Sequence, residues 1–206
     1  ALLAAGCHKR VKKSDDTATT SATIPAEKVA SNVDETRPAA TLADGPEPLT
    51  KPLVEILPAD GLRGPTSVIH DEASDVYLVS NVDGPPLEAD NKAFISKVTP
   101  DGKKILARWI ESGRHKVVLN APKGMAIRGN ELYVADIDAV RVFHRTTGLP
   151  LDEIKLPGTK FLAGVTVGLD GDVFVSEAGL KKNAAGDGLE PSGTDAVYVI
   201  YRDRTA

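Results

Sequence analysis

The sequence predicts an all-β fold, a β-propeller of four-stranded blades, carried behind a tether with no stable fold of its own. Three observations predict it. One strand motif recurs three times without gaps, each copy has matching strands before and after it, and residues 8–50 show neither a strand nor a helix period.

The front of the chain comes first. The opening Ala1-Leu2-Leu3-Ala4-Ala5-Gly6-Cys7 resembles the tail of a bacterial lipoprotein signal peptide, in which small residues stand directly before a lipid-carrying cysteine. The match departs from the usual pattern three places before the cysteine, where Ala4 replaces the aliphatic residue. We therefore expect residues 1–7 to be a signal-peptide remnant, Cys7 the acylated N-terminus, and the protein held on a membrane in the bacterial periplasm or at the cell surface. With a single cysteine, no intrachain disulfide is available.

Residues 8–50 are rich in Ala, Thr, Ser, Asp, Lys and Pro, with few large apolar side chains, so burial cannot offset the entropy of ordering them. This is the composition of a linker. Its basic cluster of His8, Lys9, Arg10, Lys12 and Lys13 has two readings, contact with anionic headgroups beside the anchor or ordinary solvation.

From residue 51 to the end the texture changes to short β-branched runs punctuated by Gly, Pro, Asp and Asn. The repeated motif is Asp75-Val76-Tyr77-Leu78-Val79-Ser80-Asn81, then Asn130-Glu131-Leu132-Tyr133-Val134-Ala135-Asp136, then Gly171-Asp172-Val173-Phe174-Val175-Ser176-Glu177. Each copy is a turn residue, an apolar strand, a small residue and a polar end. A strand precedes each at Ser67-Val68-Ile69, Gly124-Met125-Ala126-Ile127 and Gly164-Val165-Thr166-Val167. Another follows each, at 94–98, 140–143 and 196–200, and twice a turn and a fourth strand come next, at 105–110 and 153–156. Four antiparallel strands in a unit of about 40 to 45 residues make a propeller blade. A β-sandwich would give regular strand spacing but no reason for strand identity and end polarity to repeat three times. Three to four blades fit between 51 and 206, and the chain stops where a further strand is due, so we expect it to be a fragment at both ends.

Composition narrows the partners. The protein is 41% hydrophobic and 26% charged with a net charge of −4, which argues against a nucleic-acid backbone binder, and at 4% aromatic it lacks a stacking surface for single strands. No apolar run reaches the about 20 residues that span a bilayer.

Residues entering and leaving the inner strands of a propeller line the mouth of its channel. That rule selects Thr66 and Ser67, Lys123 and Gly124, Ala163 and Gly164, the strand ends Asn81, Asp136 and Glu177, and Asn120. The segments Gly64-Pro65-Thr66-Ser67-Val68, Asn120-Ala121-Pro122-Lys123-Gly124-Met125, Leu132-Tyr133-Val134-Ala135-Asp136, Phe161-Leu162-Ala163-Gly164-Val165 and Val173-Phe174-Val175-Ser176-Glu177 resemble the regucalcin and gluconolactonase (senescence-marker-protein) propeller family. The resemblance runs from residue 53 to the end. It implies six blades in the complete protein and, in the family's enzymes, one divalent cation, often calcium, that polarises a sugar-lactone ester or activates water.

The residues depart from that pattern where it matters. Thr66 stands where the family's enzymes place a glutamate ligand, Ala163 and Gly164 where they place an Asn-Asp pair, and Glu177 where they place an aspartate. Asn81, Asn120, Asp136 and Glu177 remain as oxygen donors, with Asn120, Asp136 and Glu177 the metal candidates and Asp136 and Glu177 the catalytic ones. Lys123 joins the ligand-binding candidates. Losing a carboxylate and an amide oxygen weakens a hard-cation site. The expected function is a tethered extracytoplasmic propeller that binds a small molecule, glycan or protein at the channel through a degenerate metal site; the alternative is a divalent-metal-dependent sugar-lactone hydrolase. The remaining signals are weak. His70, His115 and His144 are never paired at zinc spacing and are expected as half-buried strand or loop residues. Ser176, His144 and Asp136 form a triad only on paper, without a nucleophile-elbow glycine pattern. The acidic stretches 71–75 and 88–90 are expected as solvated turns, and the long 179–193 loop as either functional or disordered.

Overall fold

The computed structural model describes residues 60–103 and 105–203. Cys7, the basic cluster at 8–13 and the linker over 8–50 lie outside the described residues. The described residues form strands and no helix, and the fold is an all-β propeller.

Blade 1 is β1 (Pro65–Asp71), β2 (Val76–Asn81), β3 (Phe94–Val98) and β4 (Ile105–Glu111), antiparallel in chain order. Blade 2 repeats it with β5 (Met125–Arg128), β6 (Glu131–Ala135), β7 (Ala139–His144) and β8 (Pro150–Lys155). Blade 3 begins with β9 (Leu162–Val167) and β10 (Val173–Glu177). A small hairpin of β11 (Leu180–Lys182) and β12 (Leu189–Pro191) follows, and β13 (Ala196–Ile200) then pairs with β10 as the third strand. Several of the consecutive pairs are joined by short turns that carry a positive-φ glycine: Gly102 between β3 and β4, Gly129 between β5 and β6, and Gly148 between β7 and β8. Gly171 sits at φ 91°, where an L side chain is strained, and turns β9 into β10.

The inner strands β1, β5 and β9 are neighbours, so the blades stack face to face. Strand β6 shows how. Its odd and even residues go to opposite faces: Leu132 and Val134 pack with Leu78, Ile95, Ile110 and Leu119 of blade 1. Tyr133 and Ala135 pack with Leu162, Val173, Val175 and Ile200 of blade 3. A strand buried on both faces reads as a continuous apolar run, which is why Leu-Tyr-Val-Ala carries no polar residue.

Three expectations need correction. The 179–193 segment holds a paired hairpin, whose turn is fixed by Asn183 donating to Asp187 at 2.8 Å and accepting from the Asp187 N–H at 3.2 Å. Strands this short show no period. The 71–75 stretch is not wholly solvated. Asp71 is 0% exposed and takes a hydrogen bond from Arg145 Nε at 2.8 Å, a tie between blades 1 and 2 that residues 74 positions apart cannot announce locally. His70 and His115 are exposed rather than half-buried, and only His144 is half-buried. Surface position suffices for His70, which pairs with Asp75 at 3.1 Å and lies against Tyr77.

Candidate functional site

Asn81, Asp136 and Glu177 hold the same place in their blades, at the end of the second strand, and all three are buried. Each does the same job. Asn81 Oδ1 accepts from the Arg63 N–H at 3.0 Å. Asp136 accepts from the Ala121 N–H at 2.7 Å and the Asn120 N–H at 3.1 Å. Glu177 accepts from the Phe161 N–H at 3.0 Å and the Lys160 N–H at 3.2 Å. In every blade, therefore, the polar strand end clamps the backbone of the segment that enters the inner strand. A buried N–H without a partner is costly, so this position must carry an oxygen acceptor.

The clamps have further partners. Asp136 also accepts from Asn120 Nδ2 and Arg141 Nε, each at 3.2 Å. Glu177 also accepts from the Gly179 N–H and from Thr194 Oγ1, each at 3.2 Å. Asn120 Oδ1 accepts from the Asn91 N–H at 3.1 Å.

Lys123 sits where blades 1, 2 and 3 meet. Its carbonyl accepts from Ser80 Oγ of blade 1 at 2.9 Å, and the neighbouring Pro122 carbonyl accepts from Thr66 Oγ1 at 2.7 Å. The Gly124 N–H then donates to the Ala163 carbonyl of blade 3 at 2.7 Å. Glycine is required there, because a Cβ on Gly124 would lie 2.6 Å from that same carbonyl oxygen. The side chain of Lys123 is pinned inside this corner, only 8% exposed, with Nζ 4.4 Å from the centre of the Phe161 ring. Its ammonium donates to the Ala121 carbonyl at 2.8 Å; its other N–H groups have no partner among the described residues. Burial pushes the amine down to about 8, against the pull of Asp136 and Glu177, which both favour its charge.

The sequence placed Lys123 at the channel mouth, but only the packing of Phe161 from blade 3 reveals its burial. The other candidates part company. Ser176 Oγ accepts from the Gly164 N–H at 2.8 Å, His144 Nδ1 accepts from the N–H groups of Thr146 and Thr147, and Asp136 is held by Arg141, so the paper triad is not assembled. The loop after β2 meets the β11–β12 hairpin through a Lys182–Glu88 ion pair at 2.7 Å. Sequence reading gave no sign of that contact.

The donor set can be tested against the cation that the resemblance implies. Calcium takes 6–8 oxygens, and a catalytic site needs open positions as well. Here Asp136 and Glu177 already accept hydrogen bonds on both oxygens, and an ammonium stands in their joint field. Among the described residues no three His, Cys, Asp or Glu side chains gather as a metal-holding group. These residues do not fit a resident divalent cation.

Fold and site together define a propeller with a buried lysine at the junction of its blades. No protein-family model matches the chain, and no curated protein matches it. Solved structures do. The hydrazine synthase of Kuenenia stuttgartiensis is 19% identical with a TM-score of 0.44, covering 61% of this chain and 32% of that one. A gluconolactonase from Xanthomonas campestris is 16% identical with a TM-score of 0.41, covering 67% of this chain and 47% of that one. The chain thus spans about a third to a half of the length of these structures. The propeller rests on its own blade topology.

Proposed function

We propose that the protein is an extracytoplasmic β-propeller, tethered to a membrane through Cys7, that binds a ligand or partner at the channel mouth around Lys123 and does not hydrolyse lactones. One observation carries the reading. The strand-end oxygens are engaged within their own blades, whereas Lys123 is an ammonium, 8% exposed, with N–H donors still unpaired among the described residues. A buried donor without an acceptor is unfavourable, and an oxygen-bearing ligand such as a sugar hydroxyl, carbonyl or carboxylate relieves it. Thr66 and Ala163 support the same reading, since neither can replace a carboxylate as metal ligand or proton acceptor.

The experiment is an assay of the protein against a panel of sugar lactones with calcium, manganese, zinc and no metal, beside calorimetric titration with sugars and sugar acids. Binding that Lys123→Met abolishes, without turnover, is the expected result. Metal-dependent turnover that disappears in Asp136→Ala or Glu177→Ala would establish the hydrolase instead. For the tether, mass spectrometry of protein from its native membrane should find diacylglycerol and acyl mass on Cys7; an unmodified protein with a longer N-terminus overturns that part.

A further inference from the structure

Where the chain enters its inner strands, the three blades carry connections of very different length. Asn81 pairs with Pro65, Glu177 pairs with Leu162, and the Lys123 N–H donates to the Ala135 carbonyl at 2.8 Å. The connection after each second strand therefore leaves its blade at the end where, in blade 2, Lys123 lies. In blade 2 that connection is only residues 136–138. In blade 1 it is 82–93, and in blade 3 it is 178–195, the segment that holds the β11–β12 hairpin. The two long connections belong to the blades that flank blade 2, and they meet at the Lys182–Glu88 ion pair.

Their roots stand on the two walls of the Lys123 corner. The Asn91 N–H donates to Asn120 Oδ1 and Asn91 Oδ1 accepts from the Leu119 N–H, each at 3.1 Å. Ala121, whose carbonyl holds the ammonium, is the next residue. On the other wall, the Ala178 N–H donates at 2.9 Å to the carbonyl of Phe161, the residue whose ring lies against the ammonium. Among the described residues, Lys182 to Glu88 is the one hydrogen bond that links the two segments. Pro85, Pro86, Leu87 and Leu189 line a cleft of about 300 Å³ beside it, so the seam is not a packed core.

We propose that segments 82–93 and 178–195 form a strap, latched by the Glu88–Lys182 ion pair, whose opening and closing sets access to the Lys123 ammonium. The Lys182 and Glu88 side chains are 39% and 47% exposed. An ion pair so exposed is weak and is screened by salt. The latch therefore yields without unfolding the blades, whose buried clusters contain no residue of either segment beyond Ala93.

The inference rests on the binding reading of the same site and adds its regulation, but its test needs no ligand, so the two fail separately. Trace acetylation of the full chain with an N-hydroxysuccinimide ester at constant pH, resolved by residue in mass spectrometry, reads access to Lys123. Glu88→Gln is expected to raise the Lys123 rate about threefold at low salt, with the urea midpoint unchanged. Glu88→Lys combined with Lys182→Glu should return the rate to the wild-type value. Sodium chloride at about 0.5 M should speed the wild-type reaction and leave that of Glu88→Gln as it was. A Lys123 rate equal in wild type and Glu88→Gln overturns the proposal. So does a rate that rises only in step with a lower urea midpoint, or one that the charge swap fails to restore.

Discussion

Replacing Lys123 with methionine removes a charge from a nearly closed corner while keeping most of the side-chain volume. Because the amine titrates at about 8 in the fold and near 10.5 outside it, the folded state binds fewer protons than the unfolded chain between those pH values. Stability therefore rises with pH across that window: the penalty of burying the charge is complete below pH 8 and gone above 10.5. Its size is roughly 3 kcal/mol. Lys123→Met should thus be more stable than wild type at pH 7 by up to about 3 kcal/mol, with the advantage shrinking as pH approaches 10. Urea denaturation of both proteins at pH 7 and pH 9.5 measures this, and a difference that is the same at both would refute it. Asp71 obeys the opposite sign. The hydrogen bond from Arg145 holds its carboxyl below the usual range, so its contribution is complete above its ordinary value and is lost as pH falls through the lower folded one. Arg145→Ala leaves that buried carboxylate without its ion-pair partner, with only Ser74 donating to it, and should cost about 3 to 5 kcal/mol in chemical denaturation. A loss below 1 kcal/mol would mean that Asp71 reaches water.

At the scale of the strand, the tightest tolerance lies where β5 approaches β9. A methyl group on Gly124 meets backbone atoms of Ala163, Gly164 and Val165, none of which can rotate away as a side chain would. Gly124→Ala is expected to cost about 1 to 3 kcal/mol by overpacking and to weaken ligand binding at Lys123 as well. Unchanged stability would show that the two blades slide apart freely. Strand β6 offers the contrast: Leu132→Ala empties a fully buried position and should cost about 2 to 5 kcal/mol. The three copies of the second strand were legible in the sequence because each is a β-branched or aromatic run with a polar end. The polar ends themselves were misleading. Asn81, Asp136 and Glu177 look like donors facing a channel, yet their acceptors serve backbone N–H groups, and a backbone N–H leaves no mark on residue identity. Lys123 was legible by position only, since its environment comes from Phe161, a residue of the next blade.

Among the described residues, blade 2 is covered on both faces while blades 1 and 3 each keep one open. Val197 and Tyr201 on the outer face of blade 3 are 68% and 67% exposed, and Val68 on blade 1 is 61% exposed. Among the described residues β13 also has a strand on one side only. An apolar face beside an unpaired edge is prone to association. Sedimentation velocity of this chain should show concentration-dependent association that Val197→Lys with Val199→Lys reduces; a monomer at all concentrations counts against it. The strand-end clamps bear on how such a chain acquires its shape. Each reaches back only 15 to 18 residues, whereas the hydrogen bonds described above between blades join residues 28 to 94 apart. Closing a short loop loses less entropy than closing a long one, and local contacts form sooner. The first two strands of a blade can therefore close as a unit at a smaller loss of entropy than any contact between blades.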